Sequence, residues 1–156
     1  MPELPEVETT CRGISPHITG KKIAKVIIRQ KQLRWPIPNN LGETLRGLVV
    51  KQVTRRGKYL LLETNKTHTV ILHLGMSGNL RVVNSQLELG KHDHVDFVFT
   101  DGTILRFNDT RKFGAILCTE KPIAEHKLIS SLGPEPLSEQ LTGDYLYQLS
   151  RNKKKL

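Results

Sequence analysis

The stretch HVDFVFTDGTILRF, residues 94–107, decides the fold. Two runs rich in β-branched and aromatic residues, HVDFVFT (94–100) and TILRF (103–107), flank Asp101-Gly102, a dipeptide that tolerates positive φ. Together they predict an antiparallel hairpin closed by a two-residue connection. The same kind of segment recurs outward in both directions. Upstream lie KKIAKVIIRQ (21–30), LVVKQVTRR (48–56), KYLLLE (58–63), HTVILHL (68–74) and NLRVV (79–83), and downstream GAILCT (114–119), with turn residues between them. Strands at roughly ten-residue spacing, with little helix between them, predict a mainly β fold with flanking helices, an antiparallel β-sandwich.

The helical segments are short. Val7, Cys11 and Ile14 recur at i, i+4, i+7, with Glu6 and Glu8 in the first turn and Ser15-Pro16-His17 closing the run, so an amphipathic helix is expected on an edge or end of the sandwich. LGETLRG (41–47) reads as one or two further turns. From KPIAEHKL (121–128) onward the pattern becomes polar and proline-bearing, and LGPEPLSEQLTGDYLYQL (132–149) predicts a turn and a short final helix. The expected organisation is one domain over 1–150, with 151–156 starting a basic linker.

Composition bounds the function. The chain has 156 residues, 37% hydrophobic and 25% charged, which suits one soluble domain. It lacks the run of about 18 apolar residues that a membrane span needs and the basic-then-apolar start of a secretion signal. A cytoplasmic monomer with no membrane association is expected. Cys11 and Cys118 lie far apart inside apolar-patterned stretches, so neither a disulfide nor a thiolate metal site is expected. The net charge of +9 points to a polyanionic partner, nucleic acid first, although RNKKKL (151–156) holds four of those cations and leaves +5 on the rest.

The opening MPELPEVETT (1–10) raises a chemical question. If Met1 is removed, Pro2 presents a secondary amine whose pKa is about 7.7–8.0. Such an amine has no second N–H to lose, so its adduct with an aldehyde is a cationic iminium. That cation is an electron sink which acidifies the neighbouring carbon and promotes elimination from the next one. Leu4 precedes Pro5 and is biased away from the helical region, which starts the helix at Pro5 with Glu3 just outside it and Glu6 in its first turn. On its own the same grammar describes an ordinary helix start.

A second pattern bears on the choice. MPELPEVET (1–9), RRGKYLLLE (55–63), HLGMSGNLR (73–81), KHDHVDF (91–97), RFNDTRKFGA (106–115) and LGPEPL (132–137) resemble, in order and spacing, the N-terminal domain of bacterial formamidopyrimidine-DNA glycosylases. The related endonuclease VIII enzymes share a Pro-Glu opening, but PELPE and HLGMSG look like the purine-lesion branch. The resemblance implies a bifunctional glycosylase and abasic-site lyase that excises oxidised purines, 8-oxoguanine and formamidopyrimidines, from damaged double-stranded DNA and nicks the strand by β,δ-elimination. It implies that Pro2 attacks C1′, that Glu3 is the acid/base assisting ribose opening, that Glu6 is its hydrogen-bonding companion, and that Lys58 sits beside the lesion and its phosphates. Because the target base must be flipped out, Met76, Arg111 and Phe113 match the trio that fills the gap, and His73 and His92 match positions near the DNA backbone.

Without the resemblance the same residues have plainer readings. Met76 and Phe113 read as core, Lys58 as a solvated strand end and His73 as a strand residue satisfied by a neighbour. HDH (92–94) has the spacing of two metal ligands on one strand face, but no third ligand stands at a useful distance, so no metal is expected. Thr110 and Lys112 replace the Pro and Arg usual in the family, which bears on loop rigidity. The resemblance also implies a following helical domain with a helix-two-turn-helix and a zinc finger. None of that sequence is in this chain, so no cofactor is expected here and a separate C-terminal DNA-binding domain is an expected partner. The alternative function is a truncated, non-catalytic nucleic-acid-binding β-sandwich.

Overall fold

The computed structural model describes residues 4–84 and 89–120. Pro2 and Glu3 lie outside the described residues, as do the turn, final helix and basic tail expected after residue 120. Two helices and eight strands are described: α1 (Leu4–Ile18), β1 (Ile23–Ile28), α2 (Leu41–Leu45), β2 (Val50–Arg56), β3 (Tyr59–Thr64), β4 (Thr69–His73), β5 (Gly78–Val83), β6 (Asp93–Phe99), β7 (Ile104–Asp109) and β8 (Ala115–Thr119). Each strand falls on a segment expected from its composition.

The strands form two four-stranded antiparallel sheets, ordered β1-β6-β7-β5 and β2-β3-β4-β8. Alternation along the strands sends Val95, Phe97 and Phe99 of β6 and Leu105 and Phe107 of β7 into the same core as Leu60, Leu62, Val70 and Leu72. Phe97, Phe99 and Phe107 are fully buried, each stabilising the fold by roughly 1.5–3 kcal/mol. The sandwich is open along its sides, and the helices cover them. Helix α1 packs against edge strands β2 and β5 of opposite sheets and buries Val7, Cys11, Ile14 and Ile18, while α2 packs against edge strand β1. Among the described residues no helix is long and apolar enough to cross a membrane.

Two local details differ from expectation. Helix α1 begins at Leu4, one residue before the expected Pro5, and runs through the expected Ser15-Pro16-His17 close to Ile18. Pro16 removes one backbone donor, but Ile18 is completely buried, and Thr19 bonds the Ser15 carbonyl through both its N–H (3.0 Å) and its hydroxyl (2.6 Å). The helix stops at Gly20, whose φ of 86° is the left-handed end that glycine adopts without penalty. The β6–β7 turn has three residues rather than two. The Gly102 N–H donates to the Phe99 carbonyl (2.9 Å), the Phe99 N–H to the Thr103 carbonyl (2.8 Å), and only Gly102 has positive φ. A tight turn followed by a left-handed glycine spares Asp101 that conformation and leaves its carboxylate to accept the Thr103 N–H (2.9 Å) and pair with Lys21.

Candidate functional site

Strand register gathers Lys58, His73, Met76, His92, Arg111 and Phe113 at one end of the sandwich. In the second sheet Tyr59 pairs with His73, and His73 with Ala115, so the β2–β3 turn, the end of β4 and the start of β8 are level. In the first sheet Gly78 pairs with Asp109, and Asp93 with Asn108. The β4–β5 and β7–β8 loops therefore cross between the sheets side by side. The first carries Met76; the second carries Arg111 and Phe113.

The two loops touch through backbone. Gly75 has a φ of 63°, and a Cβ there would lie 2.6 Å from both the Gly114 nitrogen and the Phe113 carbonyl carbon. A Cβ on Gly114 would lie 2.6 Å from the His73 oxygen, and one on Gly78 2.4 Å from the Leu74 oxygen. No residue with a side chain fits at these positions without displacing backbone. The contact raises Met76 and Phe113 to the surface, 47% and 46% exposed, so the core reading of these residues is wrong. The Arg111 guanidinium Nη1 lies 4.0 Å from the Met76 sulfur. Lys112, between Arg111 and Phe113, has a φ of 61° and is the one non-glycine residue described with positive φ. That conformation costs a residue with a Cβ roughly 1–2 kcal/mol, and such strain gathers at functional loops.

His73 lies at the base of the cluster. Its ring stacks obliquely on Tyr59, with centroids 4.9 Å apart, and Nδ1 accepts the Gly75 N–H (3.0 Å), which places the neutral ring's proton on Nε2. Burial, with the positive charges of Arg34 and Lys58 nearby, holds its pKa below the ordinary histidine value. Lys58 follows Gly57 in the β2–β3 turn and is half-buried. That turn is braced to the start of α1: Arg55 donates through Nε to Glu8 (2.6 Å) and through Nη1 to the Gly57 carbonyl (2.9 Å). Hydrogen bonds from Arg55 and then Arg12 lower the Glu8 pKa. Glu6, one turn before Thr10, is exposed at the helix start.

His92 joins the cluster through its backbone, its carbonyl accepting the Asp109 N–H (3.1 Å). The two rings of HDH are 6.1 Å apart, and His94 Nε2 is occupied by the Asp109 carbonyl at 2.8 Å. The sequence reading passed over three residues here. Asp109 and Ser77 bond across the two loops, and their signal was only their place beside Arg111 and Met76 in NDTRKFG and GMSG. Arg34 lines a recess of about 440 Å³ with Leu33, Lys112 and Phe113, its backbone N–H donating to the Gly114 carbonyl (3.0 Å) and its guanidinium 5.2 Å from the Trp35 ring. The end of the sandwich thus presents apolar tips flanked by cations.

Residues 1–116 match the family model of the formamidopyrimidine-DNA glycosylase N-terminal domain. The chain belongs to the formamidopyrimidine-DNA glycosylase family. It is 53% identical over 154 residues to the formamidopyrimidine-DNA glycosylase of Hydrogenovibrio crunogenus, which covers 99% of this chain and 55% of that protein. The Stutzerimonas stutzeri enzyme is 51% identical over 98% of this chain and 56% of its own length. Among solved structures, Lactococcus lactis formamidopyrimidine-DNA glycosylase bound non-covalently to abasic-site DNA superposes with a TM-score of 0.79 at 31% identity, over 90% of this chain and 54% of that one. A second complex of the Lactococcus enzyme with abasic-site DNA gives a TM-score of 0.80 at 32% identity, over 88% and 52%. The chain spans about half the length of the family members it matches.

Proposed function

We propose that this chain is the catalytic N-terminal domain, residues 1–150, of a cytoplasmic DNA glycosylase and abasic-site lyase acting on oxidised purines in duplex DNA. Residues 151–156 begin the linker toward a C-terminal DNA-binding region. Pro2 attacks C1′, the damaged base leaves, and the resulting iminium drives successive β- and δ-eliminations, with Glu3 as acid/base and Glu6 beside it. Lys58, His73 and His92 face the lesion strand and its phosphates. The electron sink is the iminium itself, so the proposed reaction draws on no cofactor.

The observation that carries this reading is the pair of crossing loops. They expose Met76 and Phe113 with Arg111 beside them, at the end of the fold where the Glu8–Arg55 ion pair braces the start of α1 to the Lys58 turn. Apolar wedges that unstack bases, and a cation able to pair with the orphaned partner base, are the equipment that base flipping requires. The test is to mix the protein with duplex DNA containing an abasic site and sodium borohydride, which reduces an iminium to a stable amine. A covalent adduct through residue 2 supports the enzyme. Measurable DNA binding without an adduct supports the non-catalytic sandwich instead, and intact mass first establishes whether Met1 is absent. On this reading Glu3→Gln suppresses excision more than binding.

A further inference from the structure

We propose that Asp109, acting through Ser77, is the positioning residue that makes Met76, Arg111 and Phe113 work as one wedge; this rests on the glycosylase reading above. Asp109 ends β7 and is completely buried. Its Oδ1 accepts the Ser77 hydroxyl (2.7 Å) and its Oδ2 the Gly114 N–H (2.8 Å), while the Ser77 oxygen accepts the Arg111 N–H (3.0 Å). Three bonds thus fix the residue after Met76, the backbone of Arg111 and the residue after Phe113. The backbone that carries this carboxylate is itself held, because the Asp109 N–H donates to the His92 carbonyl and its own carbonyl bonds His94 Nε2.

The physical need for such a clamp is entropic. Two loop tips that must enter a base stack together lose less freedom on insertion if they are already ordered relative to each other, and a small misplacement of such groups is costly in rate. Nothing in the Asp109–Ser77 pair requires contact with DNA. Its role is registry: it adds side-chain bonds to the backbone contact and strand pairing that already bring together two loops 32 residues apart in sequence.

The test uses Ser77→Ala, which removes the bonds to Asp109 and Arg111 while leaving all three wedge side chains in place. Borohydride trapping is measured on an abasic site in duplex and in single-stranded DNA, because only the duplex requires a wedge. Ser77→Ala is expected to slow duplex trapping by about tenfold, the loss expected when hydrogen bonds ordering a loop are removed, with single-strand trapping within about twofold. Ser77→Thr, which restores the hydroxyl, is expected to recover the duplex rate. An unchanged duplex-to-single-strand ratio in Ser77→Ala overturns the proposal, as does an equal loss on both substrates. Fluorescence of 2-aminopurine opposite the abasic site reads the wedge without chemistry. If wild type gives no adduct but brightens the probe and Ser77→Ala does not, the lyase reading fails and the clamp stands. If neither protein brightens it, the clamp falls too.

Discussion

Gly75 is where the site is least tolerant of change. Its φ of 63° already excludes most side chains, and a Cβ there would meet backbone atoms of Phe113 and Gly114 at 2.6 Å, atoms that cannot rotate away. Gly102 also has positive φ, 92°, but a Cβ there meets open space. Gly102→Ala should therefore cost about the left-handed penalty alone, roughly 1–2 kcal/mol, and Gly75→Ala clearly more. Urea unfolding midpoints measure the difference, and equal losses would show that the two loops are not in contact. His73 gives a second prediction. With a folded pKa below the ordinary value of 6.5, it contributes stability that is present above that unfolded value and is lost as pH falls through the folded one. Because burial, Arg34 and Lys58 all lower it, Arg34→Ala should move the His73 midpoint upward in an NMR titration, while an unmoved midpoint would place the guanidinium elsewhere. The sequence showed the side chains of this site and not their supports. Met76, Arg111 and Phe113 stand in recognisable motifs, but a buried clamping aspartate such as Asp109 reads in sequence like any polar loop residue, because its burial depends on a partner loop 32 positions away.

Among the elements, the sheet β1-β6-β7-β5 carries a polar ladder on the face opposite its core residues. Asp96 of β6 accepts Arg106 of β7 in a two-bond fork (2.8 and 2.9 Å) and Arg29 just after β1 (2.8 Å). Burial alone would raise the Asp96 pKa, but the bonds from Arg106 and then Arg29 outweigh it and hold the carboxyl below its ordinary 3.8. The stabilisation is therefore complete above the unfolded value and fades as pH drops through the lower folded one. Removing the carboxylate leaves the buried Arg106 charge uncompensated, so Asp96→Ala should destabilise by about 3–5 kcal/mol at neutral pH. The gap to wild type should shrink as pH falls below the ordinary carboxylate value of 3.8; a gap that stays constant on acidification would mean the ladder is not ionic. The strand pattern made this sheet legible, since Val95, Phe97 and Phe99 announce the inner face of β6. The extent of α1 was less so. Ser15-Pro16-His17 read as its close, and the fully buried Ile18 just past it matters only once the core is there to receive it.

At the scale of the whole molecule, the two contributions to the proposed DNA binding are separated by residue type although they share one surface. Arg34 and Lys112 line the recess beside Phe113, and Arg111 stands over Met76, so charge and wedge adjoin. Charge acts by releasing counterions from phosphate, which makes affinity fall with salt at a slope of about −0.9 per duplex phosphate neutralised. An apolar wedge acts by unstacking bases and releases no counterion. Binding of this chain to abasic-site duplex should consequently weaken steeply with salt. Lys112→Ala should flatten the log–log slope by about 0.9 if Lys112 neutralises one phosphate. Phe113→Ala should lower affinity by a similar factor at every salt concentration and leave the slope unchanged. Fluorescence anisotropy across a salt series measures both. If Phe113→Ala changed the slope as Lys112→Ala does, the Phe113 loop would be holding phosphate rather than entering the stack, and its 46% exposed ring would need another explanation.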